Sequence, residues 1–261
     1  MPSRRKLLRR VGGVAAVGTV LGGAAHLDVG FVRTKLGGSF GGGIDLESPD
    51  DEAFVPPAEF AAYADRTRER YGDAALPWTA PESLAGEFVG AYTRREAVVP
   101  DERFAVQDAA VFVHRLDGGN GTGDSDDTRR GADARYRLRL WSAGRLLGRS
   151  YGVDPWGVYR EDPAFTWLTQ EVEAERDDQL SANRALSTGG GRVSVAGATA
   201  TVPNGSYEMG LESDTRYRTR WDGFYRGAIP LVGTCEASFA DGEARRLDWT
   251  LSNGVGIRTP F

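Results

Sequence analysis

The chain of 261 residues has little cysteine, histidine and lysine, and each scarcity removes a class of function. Its single cysteine, Cys235, allows no disulfide bond within the chain. Only His26 and His114 supply imidazole and there is no Gly-x-Ser-x-Gly motif, so nucleophile–base catalysis has few residues to use and a cysteine–histidine zinc site is excluded. We therefore expect no metal centre and no cofactor. The apolar stretch before Cys235 predicts a buried thiol in a strand rather than a reactive one.

Lysine is nearly absent from the body of the chain, where only Lys35 lies beyond the basic N-terminal cluster. Without the five basic residues among the first ten, 27 basic residues face 37 acidic ones, which gives the body a net charge of −10. This charge argues against general nucleic-acid binding, which needs a net basic face. The composition is similar to that of proteins from extreme halophiles, in which concentrated salt screens the repulsion between like charges.

The N-terminus carries the most specific motif of the chain. Ser3, the pair Arg4-Arg5 and the two leucines after Lys6 resemble the twin-arginine export signal, and a glycine-weakened apolar run follows at 11–21. The resemblance implies that residues 1–25 are a signal peptide or, if uncleaved, a membrane anchor. It also implies that the protein is exported, and is secreted or attached to the outer face of the cell membrane. A buried amphipathic helix is the structural alternative.

Composition divides the remaining chain into a linker at 26–56 and a single domain at 57–261. The glycines at 37–43 and the acidic run at 47–52 are typical of a flexible linker. The linker would hold the domain away from a membrane or, once the signal is cleaved, form a free N-terminal segment.

Two similar runs of alternating residues lie in the predicted domain. The run 133–141 alternates arginines with tyrosine and leucine, and 214–221 repeats the pattern. Strict alternation predicts β-strands with one buried and one exposed face. The repeat is consistent with an internal duplication, with halves at 57–155 and 156–261, or with chance similarity between two amphipathic strands.

Hydrophobic spacing predicts helices as well as strands. An apolar stripe between Pro57 and Gly72 has helical spacing, the longest helix is predicted at 162–186, and a further helix begins at 79–82 before a strand ending at Val98. Predicted strands occupy 109–116, 134–141, 145–153 after a turn at 142–144, 192–202, 206–211, 214–221, 229–239 and 243–251. We therefore expect an α+β fold: a mostly antiparallel, curved β-sheet packed against one long helix, with one or two N-terminal helices.

The arginine rows are candidate sites for an anionic ligand, because guanidinium groups pair well with carboxylate and phosphate. The candidates are Arg137 and Arg139 in the first row and Arg218 and Arg220 in the second. The alternative is an exterior in which these arginines pair with acidic residues on neighbouring strands.

Aromatic residues beside glycines are candidates for stacking against a sugar ring. Trp156, Tyr159 and Trp221 are the principal ones, with Phe224 and Tyr225 next to the last. Packing in the core is the alternative for each of them.

Two catalytic alternatives remain open. An exported hydrolase with paired carboxylates would draw on residues such as Glu208, Glu212 and Asp222. If the signal is cleaved before His26, its amine and imidazole together with His114 resemble the copper brace of polysaccharide-oxidising enzymes. The acidic insert at 117–133 is interpreted as a solvated loop or, alternatively, a calcium loop.

Asn120 and Asn204 each begin an Asn-x-Ser/Thr acceptor sequence for N-glycosylation, and both lie in predicted exposed turns. Taken together, the sequence predicts an exported, non-catalytic domain that binds a small molecule, a glycan or another envelope protein. No nucleic acid is expected as a partner, and contact with a membrane is expected only through an uncleaved signal.

Overall fold

Antiparallel strands make up most of the described chain, which in this computed structural model comprises residues 31–47, 49, 53–76, 86–97, 105–116, 134–147, 163–182 and 185–259. The strands are β1 Phe31–Asp45, β2 Phe54–Val55, β3 Glu87–Ala97, β4 Ala105–Leu116, β5 Ala134–Leu146, β6 Ala164–Ala174, β7 Leu180–Ser181, β8 Leu186–Thr188, β9 Gly191–Val195, β10 Ala198–Val202, β11 Gly205–Ser213, β12 Arg216–Tyr225, β13 Ile229–Phe239 and β14 Arg246–Thr259. One α-helix, α1, spans Phe60–Tyr71 between short 3-10 turns at Pro57–Glu59 and Gly72–Ala74.

The strands form two six-stranded sheets and one hairpin. Sheet A has the order β1-β14-β6-β12-β11-β8, and sheet B has the order β2-β3-β4-β5-β13-β7. The two sheets pack face to face, and the Thr234 N–H of β13 donates to the Tyr217 hydroxyl of β12 at 3.0 Å. Most inward side chains are apolar, and each large one that leaves water contributes about 1.5–3 kcal/mol.

A third layer covers the outer face of sheet B. Phe60 of α1 packs edge-on against Phe112 of β4, with ring centroids 5.5 Å apart. The turn of the β9–β10 hairpin lies over β5, where Arg139 donates to the Ala196 carbonyl. Strand β4 is therefore buried on both faces from Ala105 to His114, which explains why its sequence is apolar almost throughout.

The helix predicted after Pro57 is confirmed. The residues of α1 that are buried are the predicted stripe: Phe60, Ala64, Thr67 and Tyr71. Their spacing of three and four places them on one side of a helix with 3.6 residues per turn.

The long helix predicted at 162–186 is wrong, because most of this segment lies in strands β6, β7 and β8. In β6 the side chains alternate, with Leu168 and Val172 buried and Trp167 and Glu171 facing outward. The apolar residues Phe165, Leu168 and Val172 are spaced by three and four, which fits a helix as well. In its described residues the fold is accordingly mostly antiparallel β-sheet with one short helix, and 162–186 supplies no long helix for the sheet to pack on.

The glycine-rich stretch predicted as a linker lies in strand β1 instead. Residues 31–45 pair with β14, and Ser39 stands opposite Ser252. Backbone hydrogen bonds need no side chain, so a neighbouring strand orders this glycine-rich segment despite its low intrinsic strand propensity.

Three further boundaries differ from the sequence expectations. The predicted turn at 142–144 lies inside β5, whose residues there pair with Ile229, Pro230 and Leu231. The predicted strand at 192–202 is the β9–β10 hairpin, which turns at Ala196 and Gly197. Part of the region after the helix start at 79–82 forms β3, whereas the start itself lies outside the described residues.

The predicted strands at 109–116, 134–141, 206–211, 214–221, 229–239 and 243–251 are confirmed in β4, β5, β11, β12, β13 and β14, whereas most of 145–153 lies outside the described residues. Cys235 is buried in β13 as predicted, and burial raises the pKa of its thiol. The signal at 1–25 and the acidic insert at 117–133 lie outside the described residues. No helix in the described part of the chain is long and apolar enough to cross a membrane.

Candidate functional site

The candidate site is the outer face of sheet A, which faces away from sheet B. Strand alternation places the residues of each strand on this face two apart, and the strand register aligns them in rows. One row crosses all six strands in order and consists of Ser39, Ser252, Thr169, Arg220, Glu208 and Ser187. The pairing of neighbouring strands alone brings these six residues into line. The order of residues along the chain does not predict this alignment.

The half of this face formed by β6, β12 and β11 is charged. Arg216 donates to Glu173 at 3.0 Å, and Arg218 forms an ion pair with Glu212. Arg220 donates through Nε and Nη2 to the two oxygens of Asp222, at 2.5 and 2.6 Å. The predicted ligand-binding residues Arg218 and Arg220 therefore both have carboxylate partners.

These pairings shift the protonation equilibria of the face. The hydrogen bonds that Arg220 donates to Asp222 raise the pKa of Arg220, and the hydrogen bond that Arg216 donates to Glu173 raises the pKa of Arg216. Burial raises the pKa of Glu171, which lies opposite Arg218 in the register. Arg216 and Arg220 thus remain cationic beside their carboxylate partners.

In the half formed by β1 and β14, the outward side chains around Gly37, Ser39 and Gly41 are small. Between Gly37 and Gly43, the outward positions of β1 are Gly37, Ser39, Gly41 and Gly43, all of which are exposed. Ser252 of β14 donates a hydrogen bond to Ser39 between their hydroxyl oxygens at 3.0 Å. The glycine content that resembled a linker thus leaves a flat surface between Gly37 and Gly41.

Trp167 lies at the end of this flat surface, where β6 adjoins β14. A Cβ on Gly254 would lie 2.6 Å from Trp167 Cε2, and a Cβ on Gly37 would lie 3.7 Å from Cζ2. The indole therefore lies across both glycines and needs the absence of a side chain at Gly254. We call Trp167, Gly254 and Gly37 the tryptophan platform. Trp167 is only partly buried, so part of its ring surface meets solvent.

The Arg220–Asp222 pair borders the tryptophan platform. Asp222 is the cross-strand neighbour of Trp167, and Arg220 is the neighbour of Thr169. The Arg220 and Asp222 side chains are 31% and 37% exposed, so both reach solvent. A partly exposed aromatic ring beside a held donor–acceptor pair can bind a ligand that has one apolar face and a polar rim.

The first arginine row lies in a different setting. Arg137 donates to Glu236 Oε1 through Nη2 at 2.7 Å. Arg139 is only 1% exposed and donates to the Ala196 carbonyl at 3.3 Å. The structure corrects the expectation for Arg139, because a ligand in solution does not reach a side chain beneath the hairpin.

The predicted aromatic residues are also redistributed. Trp221 is fully buried, and its Nε1 donates to the Pro203 carbonyl at 3.2 Å, so the core alternative holds for this ring. Trp156 and Tyr159 lie outside the described residues. Sequence reasoning missed Trp167 because it was assigned to a helix. The alternation of Trp167 with Leu168 and of Glu171 with Val172 was the signal that could have found it.

Two of the three carboxylates considered for hydrolysis line one depression, and the third binds an arginine. Asp222 binds Arg220, while Glu208 and Glu212 line a depression of about 430 Å³ beside Arg218 and Gly210. Glu212 is itself held by Arg218.

His114, considered for a copper brace, is buried in β4 beside Phe88, with ring centroids 5.1 Å apart. Its proposed partner His26 lies outside the described residues. Within the described ranges, no three histidine, cysteine or acidic side chains group so as to hold a metal ion.

Comparison of the chain with protein-family models, with curated proteins and with solved structures gave no match.

Proposed function

We propose that the protein is an exported, non-catalytic module that binds a neutral polysaccharide at the cell surface through the outer face of sheet A. The observation that carries the proposal is the tryptophan platform with the Arg220–Asp222 pair at its border. Export is supported by the resemblance of Arg4-Arg5 and its surroundings to the twin-arginine signal.

A sugar ring matches this arrangement chemically. One face of a pyranose presents C–H groups, which pack against an aromatic ring, while its hydroxyls lie around the rim. At the rim, Asp222 accepts and Arg220 donates hydrogen bonds. Arg220 uses two of its five N–H groups on Asp222 among the described contacts, which leaves others for a ligand hydroxyl.

The row of polar side chains favours a sugar chain over a single sugar. From Ser39 to Ser187 the row offers hydroxyl, guanidinium and carboxylate groups on every strand except β6, where Thr169 is buried. Neighbouring strands lie about 4.8 Å apart, so a ligand that crosses the face meets polar groups at a regular spacing.

The charges of the face favour a neutral ligand. Among the described residues of this face, Arg216, Arg218 and Arg220 of β12 and Arg246 of β14 are all paired with carboxylates. The outward acidic residues outnumber them: Glu171, Glu173, Glu208, Glu212, Asp222 and Asp248. An anionic polysaccharide would meet a net negative surface, so repulsion would oppose its binding.

The test is titration of the full-length exported protein with soluble neutral polysaccharides and with anionic ones, in molar salt. We expect a neutral chain to bind and Trp167→Ala to weaken that binding at least tenfold, which corresponds to about 1.4 kcal/mol. Trp167→Phe keeps an aromatic face and should retain part of the affinity.

Leu211→Ala is the matched control, because Leu211 is an exposed apolar residue, 42% exposed, at the other end of sheet A. It should bind as the wild type does. Equal affinity of Trp167→Ala and wild type, with an unchanged circular dichroism spectrum, would contradict the proposal. Binding of anionic chains alone would contradict it too.

A further inference from the structure

The turn between β10 and β11 carries a feature that sugar binding does not use. Asn204, Gly205 and Ser206 form an Asn-x-Ser acceptor sequence at this turn. The side chains of Asn204 and Ser206 are both exposed. A transferase acting on the folded protein would therefore reach the asparagine amide.

The turn itself gives no reason for an asparagine at this position. Asn-Gly is common in tight turns because both residues tolerate positive φ. Among the described non-glycine residues only Asp178 and Ala196 have positive φ, so Asn204 does not meet that need. Among the described residues, the Asn204 side chain has no hydrogen-bond partner that would hold the turn.

Glycine at the next position does have a structural reason. Gly205 has φ 155°, and a Cβ there would lie 2.7 Å from Trp221 Nε1. The turn is held by the Trp221 Nε1 bond to the Pro203 carbonyl and by the Gly205 N–H bond to the Gly189 carbonyl, both 3.2 Å. The fold thus explains the glycine at 205 and the conformation of the turn. It does not require asparagine at 204, whose side-chain amide is the group that N-glycosylation modifies.

We infer that Asn204 is an N-glycosylation site that is modified on the folded protein. In this reaction Asn204 Nδ2 forms a bond to the anomeric carbon of an oligosaccharide carried by a lipid phosphate. The bond from that carbon to the phosphate oxygen breaks, and the amide proton leaves with the released phosphate. No electrons are exchanged with an oxidant or reductant.

The position of Asn204 links the modification to the outer face of sheet A. Ser206 pairs with Asp222, and Asp222 pairs with Trp167. An oligosaccharide on Asn204 therefore begins at the end of the sheet that carries the tryptophan platform. This oligosaccharide would restrict the approach of a ligand to the tryptophan platform from the β11 side. That consequence rests on the proposed function, whereas the modification itself does not.

The experiment compares Ser206→Ala with Ser206→Thr, both expressed in the source organism and recovered outside the cell. Thr122→Ala is present in both chains to remove the acceptor sequence at Asn120. Ser206→Thr keeps the acceptor pattern, and threonine suits an exposed strand position. Intact mass and peptide mapping should show an oligosaccharide on Asn204 in Ser206→Thr and none in Ser206→Ala.

An unmodified Asn204 peptide in the Ser206→Thr protein would overturn the inference, as would an oligosaccharide that persists in Ser206→Ala. Polysaccharide titration of the same two proteins is a separate readout. A mass difference without any polysaccharide binding would keep the modification and reject the proposed function. If neither protein carries an oligosaccharide and polysaccharide binding still depends on Trp167, the modification is rejected and the proposed function is kept.

Discussion

Strands β5 and β12 carry nearly the same run of alternating arginines and lie in opposite settings. Both direct tyrosines into the same core, where Tyr136 and Tyr217 are fully buried. On the other face of β5 the third layer buries Arg139, and burial, with nearby Arg137 adding to it, lowers the pKa of Arg139 to about 10. On the other face of β12, carboxylate partners raise the pKa of Arg220.

An alternating pattern defines the two faces of a strand but does not determine what covers the second face. On β12 that face meets solvent, and the arginines are held by acidic neighbours at modest cost. On β5 a guanidinium has been taken out of water, which is costly unless its donors find acceptors. The same residue type is thus a surface charge in one strand and a part of the interior in the other.

Removing one arginine from each row should give the largest difference in the free energy of unfolding. Arg139→Ala should lower the free energy of unfolding by about 2–4 kcal/mol, because it leaves a cavity under the hairpin and removes a donor from the Ala196 carbonyl. Arg218→Ala should cost about 0–1 kcal/mol, since its side chain is 28% exposed. Denaturant unfolding in constant molar salt measures both.

Arg139→Met tests the origin of that cost. Methionine refills most of the volume without a charge, so much of the stability should return. Equal effects of Arg139→Ala and Arg218→Ala would mean that the two rows do not differ energetically.

A pH titration tests the buried setting of β5 at His114, which lies opposite Arg137 in the β4–β5 register. Burial first, and then Arg139 and Arg137, lower the pKa of His114 from 6.5 to about 4. The unfolded chain therefore binds this proton more readily, and stability is lost as pH falls from 6.5 to 4, by on the order of 3 kcal/mol.

The measurement is the free energy of unfolding of wild type and His114→Gln between pH 7 and pH 4. Carboxylates titrate in both proteins, so the difference between the two curves isolates the imidazole. The wild type should lose more stability on acidification than the variant does. Parallel curves would place His114 in a setting that does not resist protonation.

The smallest expected effect concerns the two carboxylates that each bridge two arginines. Glu236 binds Arg135 and Arg137 on β5 and is 13% exposed. Glu212 binds Arg216 and Arg218 on β12 and is 34% exposed.

Glu236→Gln should cost about 1–2 kcal/mol and Glu212→Gln about 0–1 kcal/mol. Raising the salt from 0.1 M to molar should shrink the second cost more than the first, because screening acts more strongly on exposed charges. Thermal unfolding of the two variants at both salt concentrations decides this. A larger salt effect on Glu236→Gln would reverse the ranking of the two settings.

The residues show which parts of the fold a sequence can predict. The α1 stripe from Phe60 to Tyr71 was predictable because its spacing suits a helix and no other element. The strand character of β12 was predictable because alternation over eight residues excludes a helix. In β6, Phe165, Leu168 and Val172 suit both periods, and only pairing with β12 and β14 selects the strand.

The candidate site was predictable in its residue types and not in its positions. A sugar-stacking ring and the arginines Arg218 and Arg220 were expected, but the partly exposed ring on this face is Trp167, whereas Trp221 is fully buried. Which tryptophan faces outward depends on strand register and on glycines contributed by β1 and β14. Those partners lie more than eighty residues away along the chain, and local patterns carry no information about them.

If the outer face of sheet A binds a polysaccharide, as we propose, the row from Ser39 to Ser187 sets the length of ligand that the face can contact. It spans five strand spacings, about 24 Å, and its groups are fixed to a rigid backbone. A short oligosaccharide would engage only part of it, and each added sugar unit would bind with the advantage of being already attached. Affinity should therefore rise with chain length and level off once the ligand is as long as the row.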